Sequence, residues 1–206
     1  MKHFIFDFET AGQDIHSCAI LDMACYVFTT EQMLSSKPYD LDTVKDVKRF
    51  KLDLSHQRTQ YKYKVEEDTT KFWYSQPKHI FQRIIPRDDD LLLEDFSEQL
   101  LEYLEPHKIN YWWSRSNTFD PIILWRIFND TKQIGKLHQK LPHWGLRDTR
   151  SFIDGALNFP KKNGFIPVSD EKIWNDVFEL HNSSWDIVAD ILRIQAIVRT
   201  NHNLEI

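Results

Sequence analysis

The chain has 206 residues, 26 Lys and Arg against 31 Asp and Glu, and a formal net charge of −5. That length suits one domain with a buried core, while the lack of any apolar run near the roughly 18–20 residues of a membrane span excludes a helical membrane protein. Two cysteines, Cys18 and Cys25, exclude a disulfide framework or a cysteine-rich zinc site, and five glycines with no G-x-G-x-x-G or G-x-x-x-x-G-K-[ST] exclude the glycine-loop nucleotide folds.

Residues 3–9, HFIFDFE, alternate: Phe4, Phe6 and Phe8 share one face, and Ile5, Asp7 and Glu9 the other. With no signal peptide ahead of this strand, a reducing cytoplasm is the expected compartment. Residues 19–28 read as a second apolar strand, and the short AGQDIHSC between the two suits an antiparallel return. Residues 29–45 are polar and irregular, 46–54 alternates as a third strand, and 55–67 reads as a polar, basic loop. The segment 29–67 is therefore expected to be an elaborated strand or flap region within a single domain, 1–206. Asp68 is placed to cap a short helix through TTKFWYSQ, ended before Pro77. Residues 78–87 read as another short helix, and 88–105 as an amphipathic helix with acids at its start, closed by Pro106. INYWWS at 109–114 is a buried strand and 121–133 a periodic helix. Residues 144–148 form a fifth, short strand, with Asp148 capping the helix that follows. The segment 158–172, with Lys161 and Lys162, is a loop, and the last helix covers 185–199 before a fraying tail. Three strands followed by alternating strands and helices predict an α/β fold: a mixed five-stranded sheet with helices on both faces.

The acidic balance weighs against a protein that merely coats nucleic acid, but not against an enzyme that meets nucleic acid through metal ions. Asp7 and Glu9 carry the sharpest signal. Two residues apart on a strand, they share a face about 6–7 Å apart. Acids side by side among phenylalanines are costly unless cations neutralise them, and a pair of divalent metals about 3.5–4 Å apart does so. The alternative is a strand end where both acids reach solvent. Asp120 opens a helix directly after a strand, at the edge where open α/β sheets place their sites; alone it would be an ordinary helix N-terminal acid. In HNSSWDIVADILRIQAIVR, His181 precedes the last helix and Asp186 sits in its first turn. A histidine near neutral pKa takes a proton from water at physiological pH; the alternative is a solvated loop histidine. Asp190, one turn after Asp186, is either a neighbour of the site or a solvent-facing acid.

D-x-E in the first strand, F-D at a mid-chain helix start and H-x4-D at the last helix together make a specific pattern. With it the chain resembles the DnaQ-like, DEDDh branch of the 3′–5′ exonucleases, on the ribonuclease H-like fold. The resemblance runs from FDFET through the last helix, and TTKFWYSQP, WSRSNTFDPIIL and GLRDTRSFI liken it to the T-even phage exodeoxyribonuclease A group. Where the branch often has a His-Asn pair ahead of its F-D, this chain has Arg115 and Ser116, which fits the phage-like group. The resemblance implies that Asp7, Glu9, Asp120 and Asp186 bind metal and that His181 is the general base. The implied reaction is two-metal hydrolysis that releases 5′-mononucleotides from the 3′ end of single-stranded DNA. All-oxygen ligation favours two Mg²⁺ or Mn²⁺ ions over zinc. The same set serves an exoribonuclease trimming RNA 3′ overhangs, and no residue decides whether a 2′-OH is welcomed. A non-catalytic binding module is disfavoured, because all five residues are intact.

Expected substrate contacts are Phe8 and Thr10 beside the acids, where a backbone amide would meet the terminal nucleotide. Trp73 and Gln76 join them from a short helix whose aromatics either stack on a base or pack in the core. Arg115 either touches a phosphate or pairs with Asp148 or another acid. Between 45 and 64, seven Lys and Arg stand against two acids. Lys48, Lys51, Arg58, Lys62 and Lys64 form either a phosphate-guiding rim or a solvated face. Trp112, Trp113, Cys18 and Cys25 read as core. Assigned to a metal site, the four acids account for most of the net −5.

Overall fold

In the computed structural model, which describes residues 1–35, 45–157 and 178–203, the alternating N-terminal segment becomes the central strand β1 (Lys2–Thr10). On one side β2 (Ile20–Thr29) pairs with it antiparallel, and β3 (Lys48–Lys51) pairs antiparallel with β2. On the other side β4 (Ile109–Ser114) runs parallel to β1, and β5 (Leu146–Asp148) parallel to β4. The five-stranded order is β3-β2-β1-β4-β5, the mixed sheet expected from the element pattern.

The described helices are α1 (Thr30–Leu34), α2 (Leu54–Gln60), α3 (Glu67–Ser75), α4 (Lys78–Ile84), α5 (Leu93–Leu104), α6 (Asp120–Asp130), α7 (Ile134–Lys140), α8 (Thr149–Ala156) and α9 (Ser183–Asn201). The period-2 pattern of β1 divides the core in two. Phe4, Phe6 and Phe8 pack with Phe96, Leu100 and Leu104 of α5 and with Leu124, Ile127 and Phe128 of α6. Ile5, on the opposite face, packs with Trp113 and with Ile187, Val188 and Ile191 of α9. Asp7 and Glu9 continue the Ile5 face and so point to the α9 side, near the edge where β1 and β4 end.

Several boundaries differ from expectation, for identifiable reasons. The third strand covers only Lys48–Lys51, because Asp53 starts a helix: its side chain accepts from His56 N at 2.8 Å. That helix, α2, lies where a loop was expected. The amide of Gln57 holds it to the sheet, accepting from Ile20 N and donating to Ile20 O, both at 2.8 Å. Asp68 is not the cap of α3, which starts at Glu67 behind Glu66 and has no side-chain cap bond. The helix from Asp120 ends at Asp130, and α7 follows where no separate element was expected. Asp148 does cap α8, accepting from Ser151 N at 2.7 Å. Residues 36–44 of the 29–67 segment and the 158–172 loop with Lys161 and Lys162 lie outside the described residues. No described helix is long and apolar enough to cross a membrane.

Candidate active site

Three elements bring the four sequence-predicted acids together. Asp7 and Glu9 come from the end of β1 and Asp186 from the first turn of α9; one carboxylate oxygen of each lies within 4.8 Å of the others. Asp120, at the start of α6, is 5% exposed and accepts from Phe8 N at 3.3 Å, which anchors it beside the same strand. Asp7, Glu9 and Asp186 are half-buried.

This packing raises every one of the four acids above the ordinary carboxylate range. For Asp7 the chief cause is loss of water, followed by the charges of Asp120, Glu9, Asp186 and Asp190. Glu9 is raised by burial and then by Asp22, Asp186 and Asp120, with Arg49 opposing. Burial pushes Asp120 up to about 7, against the bonds it accepts from backbone amides. Asp186 is also pushed up to about 7, by burial and then Asp190, with Arg193 and Arg115 opposing. Oxygens alone, crowded and mutually repelling, form a donor set that a hard divalent cation fits.

His181 lines the adjoining cleft together with Glu9. Its φ of 62° is left-handed, an uncommon conformation for a non-glycine residue that Lys62, Lys132 and Asn203 also adopt. The imidazole meets the ring of Phe72 edge-on, with centroids 4.9 Å apart, and that of Trp73 at 6.3 Å. Burial holds its pKa below the usual histidine value. The cleft encloses about 440 Å³, and its lining includes Glu9, Thr10, Glu66, Phe72, Trp73 and His181.

The expected substrate contacts divide. Thr10 lines the cleft; its hydroxyl donates to Gly12 O at 2.7 Å and its carbonyl accepts from the Trp73 indole at 2.9 Å. Trp73 is 4% exposed, so its ring supports the cleft wall, whereas Phe72 is 38% exposed. The Phe8 side chain is buried in the core, while its backbone amide, the group expected to contact substrate, donates to Asp120 Oδ1 at 3.3 Å. Gln76 ends α3, its amide donating to Phe72 O at 3.2 Å. Arg115 donates to Asp190 at 2.5 Å. Phe8, Gln76 and Arg115 are not among the residues lining the cleft. Asp190 also accepts from Arg193 and from the Thr149 hydroxyl, making it the buried hub of an ion-pair cluster behind Asp186.

The basic 45–64 run does not act as one surface. Arg49 is paired with Asp22, and Lys51 with Asp90 at 2.6 Å, while Lys48, Arg58, Lys62 and Lys64 remain exposed. Cys18 and Cys25 are buried free thiols. Two residues near the site were not anticipated. Glu66 lines the cleft so tightly that a Cβ on Gly12 would come 2.7 Å from its carboxylate. Asp22 faces Glu9 across the β1–β2 register; a lone acid in the apolar run AILDMAC is the signal that could have found it.

A family model described as a 3′-5′ exoribonuclease Rv2179c-like domain matches residues 2–191. An exodeoxyribonuclease of Enterobacteria phage T4 is 26% identical over 218 residues, covering 100% of this chain and 92% of that protein. Among solved structures, the zinc-bound complex of E. coli exonuclease I with single-stranded DNA matches with a TM-score of 0.60 at 12% identity, over 98% of this chain and 41% of that one. A product-bound exonuclease I matches at 0.58 and 13%, over 97% and 43%. The RNase domain of yeast Pop2 matches at 0.59 and 10%, over 97% and 77%. The chain thus spans less than half the length of exonuclease I, and at these identities the likeness is one of fold.

Proposed function

Since the chain belongs to the Rv2179c-like 3′-5′ exoribonuclease domain family, and so is a 3′–5′ exonuclease of nucleic acid with the ribonuclease H-like fold, we propose that it hydrolyses single-stranded DNA from the 3′ end and releases 5′-mononucleotides. The observation that carries the site assignment is the convergence of Asp7, Glu9 and Asp186 within 4.8 Å, beside buried Asp120 and a cleft lined by Glu9 and His181. Asp7, Glu9, Asp120 and Asp186 would hold two Mg²⁺ or Mn²⁺ ions. When bound, such ions supply positive charge for the attacking and departing oxygens.

The chain's own residues account for the rest. His181, kept unprotonated at neutral pH by its partly dry setting, accepts a proton from water as the water oxygen bonds to the terminal phosphorus. The bond from that phosphorus to the neighbouring 3′ oxygen breaks, and the last nucleotide leaves with its 5′-phosphate. The cleft is of a size for one nucleotide-scale ligand. Phe72 presents a ring edge there, and the Trp73–Thr10 bond stiffens the wall. Arg115 would reach a phosphate only by leaving Asp190. The whole of 1–206 would act as one exonuclease domain.

The choice of DNA is supported by the T4 relative, which matches over the full chain and is named an exodeoxyribonuclease. RNA is the second reading, favoured by the family's description and by a cleft whose Gln13, Glu66 and Asp68 offer acceptors for a 2′-OH. Matched 5′-labelled DNA and RNA oligomers with Mg²⁺, then with EDTA, test both. DNA shortened stepwise to mononucleotides, with circular single strands intact, is expected; faster RNA cleavage would replace DNA with RNA as the substrate.

A further inference from the structure

Asp22 has no part in the hydrolysis above, yet it is 2% exposed, more deeply buried than Asp120 or Asp190. Both its oxygens are engaged. Oδ2 accepts from Arg49 Nε at 2.9 Å and also from Nη2 of the same guanidinium. Oδ1 accepts from the Ser183 hydroxyl at 2.7 Å. Arg49 Nη2 donates in addition to the carbonyl of Arg83 at 3.1 Å. This chain of bonds joins β3 and α4, through β2, to the first residue of α9.

The far end of the chain is where the proposed chemistry begins. Ser183 is 1% exposed, so water scarcely competes for its hydroxyl. Two residues before it stands His181, at its left-handed φ. Between them Asn182 caps α9, accepting from Ser184 N at 3.2 Å, while its amide donates to Glu179 at 2.6 Å. Three residues after Ser183 comes Asp186.

Stability alone is a poor reason for this arrangement. A carboxylate opposite Glu9 adds repulsion to a site already dense with acids. A buried ion pair is often no better than an apolar residue of similar size. What the acid supplies instead is direction: charge-assisted bonds with fixed geometry at both oxygens.

We infer that Asp22 is a positioning residue which, through Ser183, sets where α9 begins and so places His181 and Asp186 over the acids of β1. The inference rests on the roles proposed above for His181 and Asp186. Ser183→Ala removes the link with little loss of volume, and Asp22→Asn keeps an acceptor for Ser183 while weakening the hold of Arg49.

The test is steady-state cleavage of a 5′-labelled single-stranded oligomer by the full chain with Mg²⁺, using whichever of DNA or RNA is cut faster. Melting temperatures are measured in parallel, with His181→Ala alongside. Ser183→Ala is expected to lower kcat about tenfold with KM within about twofold, the pattern of a misplaced catalytic group. Its melting temperature should stay within about 4 °C of wild type. Asp22→Asn should show the same split; should it fail to fold, Ser183→Ala decides alone. Wild-type kcat in Ser183→Ala overturns the inference. So does a loss expressed in KM alone, or one accompanied by a fall in melting temperature beyond about 10 °C. Full turnover in His181→Ala would instead overturn the proposed base, and is read from a different variant.

Discussion

Replacing Asp120 with asparagine should stabilise the metal-free protein at pH 8 while abolishing its turnover. Asp120 is buried at 5% exposure and its carboxyl is pushed from 3.8 up to about 7. The folded chain therefore holds this proton more tightly than the unfolded chain. Stability is lost as pH rises from about 4 through 7, and the full penalty stands above 7. That interval corresponds to roughly 4 kcal/mol; water entering the open cleft and adjustment of the neighbouring acids reduce it to about 2 kcal/mol. Asparagine has the same shape and keeps an oxygen to accept from Phe8 N, so the packing is spared and only the charge goes. In a chain of this length the gain corresponds to about 4–8 °C in melting temperature. Thermal melts in EDTA at pH 8 and pH 4.5 check it: the variant should melt higher at pH 8 and nearly level with wild type at pH 4.5. No gain at pH 8, or an equal gain at both pH values, would refute the reasoning that repulsion among buried acids is being relieved.

Other outcomes follow from the same geometry. Mn²⁺ or Mg²⁺ should raise the wild-type melting temperature more at pH 8 than at pH 5, because Asp120 and Asp186 must lose protons near pH 7 before they can bind; equal shifts at both would count against these ligands. His181→Ala should lower kcat by about 10²–10⁴-fold with oligomer affinity nearly unchanged; wild-type rates at neutral pH would sink the base assignment. Phe72→Ala should expose His181 and move the acidic limb of the pH–rate profile upward toward 6.5, since burial is what holds that pKa down; an unmoved limb would leave Phe72 with no influence on the histidine. Phe4→Ala, at a fully buried position between the sheet and its helices, should cost about 3–5 kcal/mol in chemical denaturation; a loss below 1 kcal/mol would contradict the assigned core.

The net charge takes on a different meaning once the site is in view. Asp7, Glu9 and Asp186 lie together with Asp120 beside them, so several of the chain's acids are gathered at one site. Lys48, Arg58, Lys62 and Lys64 are exposed. The acidic total therefore does not oppose a polyanionic substrate: these repelling charges sit where cations are expected to bind.

The sheet and the acids were legible in the chain itself, because both rest on local periodicity. Alternation in HFIFDFE placed Asp7 and Glu9 on one face opposite three phenylalanines, and that division is the one by which the two cores form. Asp120 and Asp186 could be found because each sits at a helix start, which spacing and capping residues mark. Helix α2 was not legible: its decisive contact, the Gln57 amide on Ile20, joins residues far apart in sequence. The same holds for Trp73 and Phe72, adjacent in sequence, alike in chemistry and both against His181, of which only packing could bury one and leave the other exposed. Asp22 was visible only as an oddity among apolar neighbours, since its meaning lies with Arg49 and Ser183 on other elements. Local periodicity determined which residues share a face. The tertiary structure decided which of those faces meet, since contacts across long loops depend on packing that no local pattern encodes.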